Sequence, residues 1–189
     1  MSAKHRSVRA WLADETRQAH EALHHHPRLA PLADGSLARA ELAHVLAHHF
    51  AIYEAVERAR ASNGWCDDLS LEAPIQALVS DLLSLSPAEA CSCRYQHGLT
   101  SEAQCLGALY VLMGSQFGGQ IIGRALSASF PDFQSSFFAA SPERLTAWRL
   151  LLKRLETFDE DSDERADVLA GAQRTFAGFG TFMLTPLAA

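Results

Sequence analysis

Between Tyr110 and Leu126 an apolar run is broken by four glycines, at 114, 118, 119 and 123, and this stretch constrains the fold more than any other. Helical periodicity runs through it, yet glycine costs about 1 kcal/mol against alanine in a helix interior. Four together need compensation. The missing Cβ offers two kinds. The backbone of Gly114-Ser115-Gln116-Phe117-Gly118-Gly119 can lie against a flat cofactor, or the G-x-x-x-G spacings at 114/118 and 119/123 can let another helix pack closely. Spacing alone leaves the two readings level. A membrane span fits less well, because Gln116, Gln120 and Arg124 recur at i, i+4 and i+8 and would form a polar stripe in lipid.

The rest of the chain supports a buried helix in an all-α fold. Its 189 residues, 48% hydrophobic, suit one domain, here residues 1–189, with a substantial core. A formal charge of −6 gives no general nucleic-acid footprint. Cys66, Cys91, Cys93 and Cys105 form no C-x-x-C pair, which points to reduced thiols. Asp14 and Glu15 interrupt the N-terminus before an apolar segment develops, so no secretory signal is read and a cytoplasmic location is expected.

Period-two alternation is never sustained, whereas helical signals recur. A first helix is expected from about Ser7 to about His26, stopped by Pro27, and a second from Ser36 toward Arg60, ended by Asn63-Gly64. Shorter helices are expected over Ala73 to Leu85 and Pro87 to Gly98. Ser101 with Gln104 has capping-box spacing and opens the glycine-rich helix. Ser141-Pro142-Glu143 opens a helix to about Phe158, and a last one runs from about Ser162 to about Met183.

Histidine is unusually common, at nine. His24-His25-His26 and His48-His49 must spread over different helix faces, which argues against one shared metal site. His20 differs, because Leu12, Thr16, Ala19 and Leu23 share its face and its imidazole should point toward the core. Such a histidine is commonly a hydrogen-bonded core residue; axial ligation of a metal is the alternative. No H-E-x-x-H motif and no pair of E-x-x-H motifs is present.

Two motifs tie these features together. Thr16-Arg17-Gln18-Ala19-His20-Glu21 resembles the first-helix segment of heme oxygenases, in which a His four residues after a Thr is the proximal heme-iron ligand. The segment from Tyr110 through Met113-Gly114-Ser115-Gln116-Phe117-Gly118-Gly119-Gln120 to Ile122 resembles that family's distal-helix motif, particularly in its bacterial biliverdin-producing branch. The resemblance implies a single-domain multi-helical fold with heme between the first helix and a kinked glycine-rich distal helix. Heme would be both cofactor and substrate. With O2 and an external electron donor, a ferredoxin or a reductase, it would be cleaved at a meso carbon to biliverdin, CO and iron. By the same precedent a bilin-binding photoreceptor would be a downstream recipient.

Carried onto this chain, the resemblance makes His20 the iron ligand beside Thr16, with Gly114, Ser115, Gly118 and Gly119 on the distal side. Arg17, Tyr110 and Arg149 are the leading candidates to hold the heme, with Arg9 and Lys153 behind them. Three positions depart from the pattern: Ser115 where animal members have Asp, His24 where many have a carboxylate, and Met113 where bacterial relatives often have Glu. They keep open a non-catalytic heme-binding protein of the same fold, for storage or delivery.

Overall fold

The computed structural model describes residues 7–85, 94–160 and 162–186, and among these every regular element is an α-helix. In chain order these are α1 (Val8–Glu15), α2 (Arg17–His24), α3 (Ala30–Asp34), α4 (Arg39–Asn63), α5 (Glu72–Leu85), α6 (Glu102–Ser129), α7 (Pro142–Leu155) and α8 (Asp163–Phe182). The centre is α6, packed most extensively on α8 and touched also by α3, α4 and α7. Its Leu106, Leu109 and Leu112 are fully buried with Leu42, Leu46 and Ile52 of α4 and Leu151 of α7. By length and composition α6 could cross a membrane, but half of its most apolar window is buried inside the fold.

Close helix packing does occur on α6, though at a glycine outside the 114–123 group. A Cβ on Gly107 would collide with the Val168 carbonyl of α8, and one on Gly171 of α8 with the Gln104 carbonyl of α6. The two backbones touch there. Through all the glycines that follow, α6 continues as one unbroken helix.

Local signals explain most helix boundaries. Gly64 ends α4 in the left-handed region, with φ 65°. The hydroxyls of Ser101, Ser141 and Ser162 each accept the amide three residues on, capping α6, α7 and α8. At α6 the reciprocal bond differs from a capping box, because the Gln104 side chain accepts from Thr100 N–H instead of Ser101 N–H.

Several expected boundaries move. The first helix divides at Thr16, where φ is −103° and ψ is 1°. Thr16 Oγ1 donates to the Leu12 carbonyl at 2.6 Å, a back-bond of the kind that bends helices. The second expected helix opens at Arg39, not Ser36, after a short α3 that ends on Gly35. Gly35 fits there because a side chain would meet the Ala125 carbonyl of α6. The expected helix over Pro87 to Gly98 lies partly outside the described residues; residues 94–100 are irregular. Long-range contacts hold that segment instead, with His97 Nε2 2.8 Å from Thr175 Oγ1 and Tyr95 filling the space beside Gly178.

The connection between α6 and α7 is fixed by charge. Asp81 of α5, 2% exposed, accepts from Ser135 Oγ at 2.5 Å, Ser136 N–H at 2.7 Å and Phe137 N–H at 3.1 Å. Arg144 donates to the carbonyls of Phe137 and Ala139 from the other side. Together they press Phe138 onto α6 at Gly119 and Gly123.

Candidate functional site

The bend at Thr16 decides where His20 goes. Leu12 stays in the core, but the expected continuous apolar face is broken, and His20 is exposed rather than core-facing. Its ring is edge-on to His24, with centroids 4.7 Å apart, and to Phe176 of α8 at 6.0 Å. Partial burial lowers the His20 pKa from its ordinary value, and His24 lowers it further against the opposing pull of Glu21. A neutral imidazole is the form that can ligate iron. His24 stands where a carboxylate could have taken the second ring hydrogen. Phe176 in turn packs with Val111 of α6 and with Ala19, Leu23 and Tyr110, linking the His20 helix to the glycine-rich one.

Three other histidines, His26, His48 and His49, are committed to the fold. His26 Nε2 meets the Gly180 carbonyl at 3.2 Å, His48 is bonded to His44 O and Thr185 Oγ1, and His49 donates to Val45 O. Among the described residues no group of three or more His, Cys, Asp or Glu could hold a metal ion. A single exposed imidazole cannot retain a bare ion by chelation. It can serve as an axial ligand to iron held in a macrocycle.

The four glycines of the distal stretch divide by environment. Gly119 is buried with Phe138 Cδ1 3.2 Å from the place a Cβ would take, and Gly123 faces the Cβ and backbone carbonyl of the same residue. The missing side chains at these two positions make room for Phe138. Gly114 is covered by Trp148 of α7, whose Cη2 lies 3.4 Å from its would-be Cβ. Gly118 is exposed with nothing within 4 Å. Around it stand Phe117, 47% exposed, and Ile121, 64% exposed, on an open apolar strip. That strip and the missing Cβ form a flat face that a planar apolar ligand would cover.

Ser115 is exposed and donates to the Leu112 carbonyl at 2.9 Å. The Tyr53 hydroxyl, from a fully buried ring of α4, donates to the same carbonyl at 2.7 Å and sits 3.3 Å from Ser115 Oγ. Burial pushes the Tyr53 pKa up, which keeps its proton in place. In the sequence Tyr53 registers only as an apolar-face residue of a helix. The signal that could find it is a polar atom on a ring that must be fully buried, which requires a partner.

The rim residues fare unequally. Thr16 is buried with its hydroxyl donated to the Leu12 carbonyl at the bend between α1 and α2. Arg17 is exposed and paired with Asp14. Tyr110 is half-buried against Trp148, with ring centroids 5.5 Å apart. Arg9, Arg149 and Lys153 are exposed. Met113 is 6% exposed and belongs to the core. A cleft of about 200 Å³ lined by Pro74, Met113, Gln116, Glu143 and Arg144 lies along a different strip of α6 from Gly118.

Comparison with known proteins places this geometry. No family model matches the sequence. Over 84 residues, 43% of this chain, it is 39% identical to the heme oxygenase of Xanthomonas campestris pv. campestris, and the match spans about half (51%) of that relative's length. Among solved structures it is similar to the heme oxygenase of Leptospira interrogans, with a TM-score of 0.74 at 17% identity over 94% of this chain and 98% of that one. It is equally similar to heme oxygenase-1 of the cyanobacterium Synechocystis in complex with heme, with a TM-score of 0.74 at 14% identity over 94% and 91%. The NO- and CO-bound heme oxygenase of Neisseria meningitidis gives 0.74 at 16% identity over 94% and 90%. The chain has the heme oxygenase fold.

Proposed function

We propose that this chain is a heme oxygenase: it binds heme as both prosthetic group and substrate and opens the ring at a meso carbon to biliverdin, releasing CO and iron. The observation that carries the reading is a pairing on one heme-oxygenase-like scaffold. An exposed imidazole with a lowered pKa lies at His20, and an open, Cβ-free helix face lies at Gly118. Bound heme would supply the iron that activates O2.

The chain's own residues supply the rest. His20 offers a neutral nitrogen, its ring held edge-on by Phe176 and His24. The exposed apolar strip at Phe117, Gly118 and Ile121 would cover one face of the ligand and keep bulk water from it. Ser115 Oγ and the buried Tyr53 hydroxyl, 3.3 Å apart, both donate to the Leu112 carbonyl, so the exposed serine oxygen is held in place and keeps lone pairs that can anchor a water molecule. Serine is no acid near neutral pH, so it does not itself supply protons. Tyr110, Arg17 and Arg149 are the first candidates for the ligand's carboxylates. Electrons come from a separate ferredoxin or reductase, because the sequence has no flavin, dinucleotide or iron–sulfur motif. A cytoplasmic setting and a bilin-binding photoreceptor as recipient belong to the same proposal.

The test is hemin titration followed by turnover. The parent protein should give a Soret band, which under a reductant with catalase present should decay as biliverdin absorbance grows. His20→Ala should alter the heme spectrum and slow turnover at least about 100-fold, partly restored by imidazole. A parent that binds hemin but forms no biliverdin would reduce the reading to heme binding, and a His20→Ala variant indistinguishable from the parent would move the axial ligand to His24.

A further inference from the structure

Trp148 makes a step beside the open glycine. Tyr110, Gly114, Phe117 and Ile121 recur at i, i+4, i+7 and i+11 and form one strip of α6. The indole lies along this strip, its centroid 5.5 Å from the Tyr110 ring and 5.3 Å from the Phe117 ring. Its Cη2 and Cζ3 edge covers Gly114, at 3.4 and 3.6 Å from a would-be Cβ. It is 8% exposed, rooted in the core through α7, and flanked by aromatic rings on two sides. One turn further along α6, at Gly118, the surface drops to bare backbone.

A planar macrocycle seated on Gly118 would therefore meet the indole edge if it slid toward Gly114. We infer that Trp148 is a specificity-determining residue: it sets the in-plane position of the heme on α6, and so which meso carbon is opened. This rests on the heme oxygenase reading above. The four meso carbons of heme have similar reactivity, so the ratio of biliverdin isomers follows from which ring edge lies against the distal helix. A rigid wall fixes that edge by sterics, whereas Gly118 admits the ring without choosing among its edges. The reaction is unchanged; only the position of the bond broken differs.

The experiment is isomer analysis of the biliverdin formed by hemin-loaded parent, Trp148→Phe, Trp148→Ala and Phe117→Ala proteins with one reductant. Removing the indole should shift the isomer ratio about tenfold, the scale of discrimination one hydrophobic wall gives. Trp148→Phe should give a smaller shift in the same direction. Phe117→Ala, at an exposed position, removes one support of the indole without touching the core and should give the smallest. If Trp148→Ala does not fold, Trp148→Phe and Phe117→Ala decide. The parental ratio in Trp148→Ala, or in both substitutes where it fails to fold, overturns the inference while leaving the heme oxygenase reading intact. A parent that makes no biliverdin at all overturns both.

Discussion

The start and the middle of α6 use glycine for opposite purposes. Near its start Gly107 is pressed against α8, where Gly171 returns the contact, and an added methyl group at either would strike backbone. Near its middle Gly118 faces open space, and an added methyl group would strike nothing. The same residue type in one helix is a packing device in the first case and a cleared surface in the second. Glycine's spacing does not separate the two uses, but the atoms opposite each glycine do.

The largest expected effect lies at the closed end. Gly107→Ala or Gly171→Ala should lower apo-protein stability by about 3 kcal/mol, since backbone cannot move aside as a side chain can. Denaturant unfolding of the apo protein measures this. A loss below about 1 kcal/mol at both positions would mean that the helices do not touch and the contrast with Gly118 disappears.

Acid should loosen the same closed side. Burial pushes His97, bonded to Thr175 one turn beyond Gly171, and His49, beside Phe179, down to about 4. Both are neutral in the folded protein, while the unfolded chain takes up protons near 6.5. Stability should therefore be intact above that pH and fall as pH drops from about 6.5 toward 4, by on the order of 3 kcal/mol for each histidine. Unfolding midpoints at pH 7 and pH 5 check the sign, and equal midpoints would show that these histidines titrate normally.

A smaller effect should separate Gly119 and Gly123 from Gly118. Asp81→Ala removes the acceptor that holds the 135–137 segment and with it the seat of Phe138, at a cost of about 2 kcal/mol. Heme affinity should fall far less than stability, because Phe138 lies on the packing side of α6. Equal losses of both would place that loop in the ligand site.

Much of this was readable in the sequence, and the exceptions have physical causes. The serine caps before α6, α7 and α8 and the Asn63-Gly64 stop act through neighbouring backbone, so local pattern finds them. The break at Thr16 depends on a side chain choosing its own carbonyl, and it turned His20 outward although periodicity placed it in the core. The irregular path of residues 94–100 is set by Thr175 and Gly178, some eighty residues away. At the site, the G-x-x-x-G spacing registered the importance of the 114–123 stretch but could not assign its members. Phe138 claims Gly119 and Gly123, Trp148 covers Gly114, and only Gly118 is left clear. Tyr53 was hidden among apolar neighbours because its partner, the Leu112 carbonyl, is backbone on another helix.

The account turns on Gly118 as a cleared surface, and one paired measurement tests it directly: apo-protein melting beside biliverdin formation for Gly118→Leu. The open environment predicts that the apo variant is as stable as the parent or gains up to about 1 kcal/mol from helix propensity, while turnover is lost because the side chain occupies the oxygen side of the ligand. An apo variant that melts well below the parent, yet whose folded fraction turns over heme at the parental rate, would contradict it.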